Sequence, residues 1–166
     1  LPFHFRRVNG SNHVKSFHDI GEIVTRLIRF IKPQSRYRGL IIRLYVEKEL
    51  PIVSINSSQI EQIMMNLMAN AADAVHETGV GNGLITVRVG FNKEKHRIDI
   101  SVADSGCGMR RDHRQKMFRE RFTTKNAGHG LGLIACRQLI DNHNGDFNVE
   151  SEEGMGTTVM VSFPIE

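Results

Sequence analysis

The chain has 166 residues, 40% of them hydrophobic and 24% charged, with 22 Lys and Arg against 18 Asp and Glu. That length can bury a full core in one domain, and the only cysteines, Cys107 and Cys136, are too few and too isolated to suggest a disulfide framework or a zinc site. No apolar run approaches the roughly 18 residues a membrane span needs, and the net charge of +4 is scattered among acids rather than gathered on one face, which argues against nucleic acid as a partner.

The cysteine usage points to a reducing, cytoplasmic setting with no membrane contact by this domain. Residues 1–17 read as a linker or the remnant of a preceding region, and residues 18–166 as one domain. The chain opens on Leu1 with no targeting pattern, so it is expected to be a piece of something longer.

Ile20, Ile23, Val24, Leu27, Ile28 and Ile31 recur at helical spacing, and "KPQSRYRG" ends that helix. "LIIRLYVEKELP" reads as a strand closing at Pro51. "INSSQIEQIMMNLMANAADAVHETG" predicts a long helix, with Ser57 or Ser58 as N-cap, Glu61 in the first turn and Gly79 beyond the end. "GLITVRVGF" and "HRIDISVAD" alternate as strands, the second running into "SGCGM". A short helix is expected around 111–117, then the glycine-punctuated "FTTKNAGHGLGL" and a helix through "GLIACRQLIDNHNG" stopped by Gly145. "DFNVESEEGMGTTVMVSFP" closes the chain as a hairpin. Helices alternating with strands and finishing on an antiparallel meander predict an α/β (α+β) two-layer sandwich.

Several stretches carry chemistry. On the long helix, Ile60, Ile63, Met64, Leu67, Ala71 and Ala74 make the core stripe, and Gln62, Asn66, Asn70 and Asp73 run along its flank. Asn is a poor choice for a merely solvated helix face, because it competes with the backbone for hydrogen bonds. Its carboxamide oxygen does suit Mg²⁺ beside phosphate and water. Asp104, at a strand end, can accept from an exocyclic amine, while Gly106 and Gly108 let the backbone turn closely around a flat ligand. Gly128, Gly130 and Gly132 leave amides bare at a helix start, where the dipole favours an anion. Taken singly, each stretch also reads as an ordinary turn, hairpin loop or solvated face. Gly-x-x-x-x-Gly-Lys-Ser/Thr and dinucleotide-type glycine spacings are both missing from the sequence.

The order of these stretches is more specific than any of them. An Asn-bearing helix is followed by Asp-x-Gly-x-Gly at 104–108, Phe-x-x-x-Phe-Thr-Thr-Lys at 118–125, Gly-x-Gly-x-Gly at 128–132 and Gly-x-Gly-Thr at 154–157. This series resembles the ATP-binding domain of sensor histidine kinases, in the GHKL superfamily that also includes DNA gyrase B subunits, MutL and a heat-shock chaperone ATPase, and it spans residues 20–164. The resemblance implies a Bergerat-type fold, a mixed but mostly antiparallel sheet with helices on one face and a mobile ATP lid. It also implies ATP and Mg²⁺ as cofactors and protein-histidine kinase activity.

Residue by residue, Asn70 looks like the Mg²⁺ ligand and Asn66 like its neighbour at the metal and phosphates. Asp104 looks like the residue that selects adenine, with Thr157 supporting it through water and Gly106 and Gly108 lining the base and ribose edge. The lid would span 118–128, with Thr124 and Lys125 at the phosphates, and Gly128, His129, Gly130, Leu131 and Gly132 would hinge it and present helix-start amides to the triphosphate. Hydrolysing members of the superfamily carry a Glu one turn before the metal-binding Asn; Asn66 stands there instead and cannot act as a general base, which favours transfer to a histidine over transfer to water. His18-Asp19 resembles a phosphoacceptor pair but lies too close to the first helix. The acceptor is therefore expected on a separate dimerisation and phosphoacceptor hairpin of a homodimeric parent, with a response-regulator receiver domain as the next partner and this domain itself a monomer. His143, at a helix C-terminus, sits where a cation is favoured.

Two residues depart from the family pattern: Asp73, where Lys or Arg is common, and Arg121, before "FTTK". Cys107 reads as a small residue packed in a turn rather than a redox switch. The rival functional readings are a GHKL-type ATPase or protein-serine kinase, and a non-enzymatic nucleotide-sensing interaction domain.

Overall fold

The computed structural model describes residues 14–112 and 130–165, with side chains omitted over 130–134. The segment expected as a lid, including Arg121, Thr124, Lys125 and Gly128, lies outside the described residues, as do His129 after it and most of the short helix expected at 111–117. In chain order the elements are β1 (Ser16–His18), α1 (Ile20–Ile31), a single 3-10 turn (Ser35–Tyr37), β2 (Ile41–Val46), β3 (Val53–Ile55), α2 (Ser57–Glu77), β4 (Leu84–Asn92), β5 (Arg97–Asp104), α3 (Gly130–Asn142), β6 (Asp146–Glu152) and β7 (Gly156–Pro164).

Alternation builds the main sheet. Ile85, Val87 and Val89 of β4, Ile98, Ile100 and Val102 of β5, and Val161 and Phe163 of β7 are buried on one face. The strands run in the order β2-β4-β5-β7-β6, with β2 parallel to β4 and every other neighbour antiparallel. The helices lie on the buried face, which gives the expected two-layer architecture: α2 packs on β4, β5 and β7, and both α1 and α3 pack against α2. Among the described residues, no helix is long and apolar enough to cross a membrane.

All six apolar positions expected to define α1 are buried, and Asp19 caps it, its Oδ1 accepting the Glu22 N–H at 3.3 Å. The N-cap of α2 is Asn56, not Ser57 or Ser58. Asn56 keeps an extended backbone and its Oδ1 accepts the Gln59 N–H at 3.1 Å, whereas both serines are already helical. Glu61 lies beyond the first turn and pairs with Arg26 of α1 at 3.8 Å. Gly79 follows the helix at φ 67°, the left-handed position that ends it. At the end of α3 that position belongs to Asn144, φ 52°, rather than to Gly145. Gly145 is needed for a different reason: a Cβ there would stand 2.9 Å from both the Ser162 carbonyl oxygen and Ile140 Cγ2.

The strand expected to run to Pro51 ends at Val46. The Glu47 side chain turns to accept the Phe91 N–H at 2.9 Å, and Glu49 adopts φ 59°. Beyond this turn lies β3, which was not expected from the sequence because its three residues are too few to show a period. It pairs with β1, so Ser16 and Phe17, read from sequence as the end of a linker, form a ladder with Ile55 and Ser54.

Candidate functional site

The two helices of the site run antiparallel and in step. The Asn56 backbone N lies 3.1 Å from His143 Nε2 at one end. Cys136 Sγ lies 4.0 Å from the Ile63 carbonyl oxygen midway. These contacts are seven residues apart on each helix, and about two further turns bring Asn70 level with the start of α3. Gly130, Leu131 and Gly132 are the first three residues of α3, so by this register its first turn falls at the level of the Asn66–Asn70 stretch of α2. Asn66 and Asn70 are both half-buried, and Asn66 Oδ1 accepts from Gln62 Nε2 at 3.3 Å.

The loop after β5 is clamped on two sides. Asp104 Oδ1 accepts the Gly106 N–H at 2.8 Å, which folds the loop back on its own strand end. Against α2, the Cys107 N–H donates to the Ala74 carbonyl at 3.2 Å, and a Cβ on Gly106 would stand 2.7 Å from Ala74 backbone and side chain alike. Ala74, expected in the core stripe, is accordingly only half-buried; Met68, Ala72 and Val75 complete that stripe. Against the hairpin, Gly108 takes φ 67°, where a Cβ would meet the Glu152 carbonyl oxygen at 2.0 Å. The Gly154 N–H donates to the Cys107 carbonyl at 2.7 Å. Three elements thus converge on one backbone cradle, and the glycines are required because a Cβ on Gly106 or Gly108 would collide with α2 or with the hairpin backbone.

Asp104 and Thr157 are partners in the β5–β7 register. Behind them sits Ser151, which sequence reasoning missed. Its Oγ takes the Met109 N–H at 2.8 Å, donates to the Gly156 carbonyl at 3.2 Å, and lies 2.7 Å from Thr157 Oγ1. A hydroxyl has one proton, so with the Gly156 bond made, Thr157 is the donor in the last contact and keeps acceptor capacity for a water or ligand. Ser151 occupies an ordinary alternating strand position, with no local signal to single it out.

Asp73 meets a cation from outside its own helix. Arg36, in the 3-10 turn, places Nε 3.8 Å from Asp73 Oδ1, and the Arg36 carbonyl is bonded to His76 Nε2 at 2.7 Å. Cys107 donates its thiol to Glu77 Oε2 at 3.3 Å, and burial, with the carboxylate added, pushes the thiol pKa up. The half-buried side chain in the loop after β5 fits the reading of Cys107 as a small residue in a turn. Cys136 is buried more deeply and pushed up to about 12. Asp19 caps α1 and His18 Nε2 bonds Ser16 Oγ at 2.7 Å, so both members of the His-acid pair have structural duties.

The expected cation at His143 is not found. The ring is 3% exposed, and burial lowers its pKa. It donates from Nδ1 to the Leu139 carbonyl at 2.8 Å and accepts the Asn56 N–H at Nε2, so it is neutral. Proximity to the helix terminus is outweighed by desolvation.

Known proteins share this fold. Residues 55–166 match the family described as histidine kinase-, DNA gyrase B-, and HSP90-like ATPase. Sporulation kinase A of Bacillus subtilis (strain 168) is 28% identical over 153 residues, covering 92% of this chain and 24% of the relative, so the chain spans about a quarter of that protein. Among solved structures, the catalytic domain of histidine kinase ThkA, in a nucleotide-free form, superimposes with a TM-score of 0.78 at 26% identity, covering 91% of this chain and 95% of that one. Full-length ShkA in complex with AMPPNP gives 0.76 at 25% identity, covering 90% of this chain and 31% of that one. The chain belongs to the histidine kinase-, DNA gyrase B-, and HSP90-like ATPase family.

Proposed function

We propose that this chain is the catalytic, ATP-binding domain of a two-component sensor histidine kinase, passing the γ-phosphoryl group of ATP to a histidine on a separate dimerisation and phosphoacceptor hairpin for relay to a response-regulator receiver domain. The observation that carries this reading is the glycine cradle at Asp104, clamped to α2 at Ala74, one helical turn from Asn70. A flat base held against Asp104 leaves its phosphates to run along α2 toward Asn70, Asn66 and the first turn of α3. Asp104 accepts the amino group of adenine, Thr157 contributes an acceptor beside it, and Gly106 and Gly108 admit the base edge. Asn70, aided by Asn66, would hold Mg²⁺, since carboxamide oxygens beside phosphate and water offer the hard, partly hydrated set that this ion prefers.

When bound, Mg²⁺ neutralises charge that develops on the transferred group. The chain's own contribution would be positioning: amides of Gly130 and Gly132 at the start of α3 would receive the phosphates, and roles at the phosphates are assigned to Gly128, His129, Leu131, Thr124 and Lys125 from their places in the sequence motifs. Asn66 has no proton-accepting power at neutral pH, so water is left unactivated and ATP is kept for the acceptor histidine. The name of the Bacillus relative and the AMPPNP held by ShkA support the same assignment. The domain belongs in the cytoplasm, as a monomeric unit of a homodimeric parent.

The test is calorimetric titration with ADP and a non-hydrolysable ATP analogue, with and without Mg²⁺, beside a steady-state hydrolysis assay. Adenine nucleotide binding strengthened by Mg²⁺, with negligible turnover, is expected. Brisk hydrolysis by the chain alone would favour an ATPase, and no binding by folded protein would leave an interaction module.

A further inference from the structure

The site helices and the incoming chain meet at one buried imidazole. His143 follows directly on α3, with Leu139 of the same helix as the partner of Nδ1 and the Asn56 N–H as the partner of Nε2. A carbonyl only accepts and a backbone N–H only donates, so the proton must sit on Nδ1 and the lone pair on Nε2. Asn56 is also the cap of α2, and its Nδ2 donates to the Val14 carbonyl at 3.5 Å. Next to Val14, Lys15 Nζ donates to the Asn142 carbonyl, the last residue of α3, at 2.9 Å. The edge of Phe163 closes the other side of the ring, with centroids 5.9 Å apart. One neutral ring therefore ties the start of α2 to the end of α3, and the segment leading into β1 bonds to both sides of that link through Asn56 and Asn142.

Both helices are pinned at this end and carry the proposed site further along. From Asn56, Asn66 lies ten residues on and Asn70 fourteen, roughly 15 to 21 Å at the helical rise. A small rotation at the cap is carried along a rigid helix to the carboxamides and changes their distance from the first turn of α3.

We propose that His143 is a positioning residue for the nucleotide site: through its Nε2 acceptor it sets the start of α2 against the end of α3, and protonation of that nitrogen releases the link and weakens nucleotide binding. This rests on the reading of Asn66 and Asn70 as the nucleotide-facing groups. With a proton on Nε2, two N–H groups would oppose each other at 3.1 Å. Of the described groups that face the ring, Lys15 from the leading segment is the cation that acts on it, while Asn56 of α2, Leu139 of α3 and Phe163 of β7 are uncharged. The folded ring holds its proton less tightly than the ordinary value of 6.5 because burial, opposed by the Leu139 carbonyl and reinforced by Lys15, disfavours the charged form. Linkage fixes the sign: the stabilisation is complete above the unfolded pKa and fades as pH falls through the window below it.

The experiment compares the unmodified chain with His143→Gln, whose Oε1 replaces the Nε2 acceptor without titrating, and His143→Phe, which keeps a ring but accepts nothing. ADP affinity is measured by calorimetry from pH 8 to pH 5, and the ring's own midpoint is read from its C2–H resonance. Protonation of the ADP phosphate is common to all three proteins and cancels in the comparison. The unmodified chain should lose about tenfold in affinity relative to the Gln variant as the ring titrates, the scale of one lost hydrogen bond. The Phe variant should bind weakly at every pH while retaining native circular dichroism. An unmodified chain that tracks the Gln variant through the ring's midpoint overturns the proposal. Absence of ADP binding by the unmodified chain at pH 8 strikes the site reading instead. The link is then decided by amide exchange at Asn56, which ring protonation must accelerate relative to the Gln variant.

Discussion

Asp104 and Thr157 face each other across β5 and β7, and a Cβ on the adjacent Gly156 would stand 2.1 Å from the Asp104 carbonyl oxygen. Gly156 also holds φ 89°, a conformation that L side chains rarely adopt. Both obstacles are backbone, so neither can be relieved by a rotamer change. Gly156→Ala should cost about 1–3 kcal/mol, the range for enforced left-handed strain, before the clash is counted. The urea midpoint should fall, and nucleotide affinity should fall even in protein that remains folded, because the strand end bearing Asp104 must move. Unchanged stability in the Ala variant would show that the hairpin relaxes freely and does not clamp the loop.

Asp104→Asn separates structure from recognition. The Gly106 N–H needs only an acceptor, and Asn Oδ1 supplies one at the same place, so unfolding curves should superimpose within about 1 kcal/mol. What is lost is the charged acceptor for the base. Charge-assisted hydrogen bonds contribute about 1.5–3 kcal/mol, so ADP affinity should drop about ten- to hundredfold. GTP, measured in parallel, should bind weakly to both proteins. Equal ADP affinity in the two would remove Asp104 from base recognition.

Why some of this was legible in the sequence and some was not comes down to period and range. α1, β4 and β5 follow patterns over eight or more positions, so both strands were readable as strands and the burial of α1 was readable to the residue. β3 has three residues and exists only because β1 pairs with it, a contact some forty residues away in sequence. Asn56, Ser57 and Ser58 are all good caps, and only the backbone angle at Asn56 decides among them. Within the site, Asp104, Gly106 and Gly108 announced themselves through a spaced motif, whereas Ser151 does its work through partners in the loop after β5 and at the start of β7. His143 illustrates the harder failure: a local rule favours a cation at a helix end, and burial by Phe163 and Asn56 from distant segments reverses it.

The Cys107–Glu77 contact predicts an order of thiol reactivity. Burial and the Glu77 carboxylate both hold the Cys107 thiol protonated, so alkylation by iodoacetamide at pH 8 should be slow. Glu77→Gln removes the charge that opposes thiolate formation and should speed labelling. ADP, occupying the cradle, should slow it again in both proteins. Cys136, with its thiol near 12 and its side chain buried, should stay unlabelled until the chain is denatured, and so reports any unfolding that would confuse the comparison. Labelling at equal rates with and without Glu77 would mean that access rather than ionisation limits the reaction.

Asn66→Glu tests why ATP bound here should wait for a histidine. The substitution places a carboxylate one turn before Asn70 on an uninterrupted helix, where a base can reach a water beside the terminal phosphate. Glu is a better helix former than Asn, and its longer side chain still reaches Gln62, now bonded to Asn66 at 3.3 Å, so the fold should survive. Since general base catalysis typically contributes 10²–10⁴-fold, steady release of phosphate from Mg²⁺–ATP should rise by about that factor over the unmodified chain. The Asn66→Asp variant provides the geometric control: its shorter side chain sets the carboxylate back by one methylene and should give a smaller gain. Unchanged hydrolysis in a Glu variant that still binds ATP would place Asn66 away from the water-accessible side of the phosphate, and the preference for transfer over hydrolysis would then have to come from the lid.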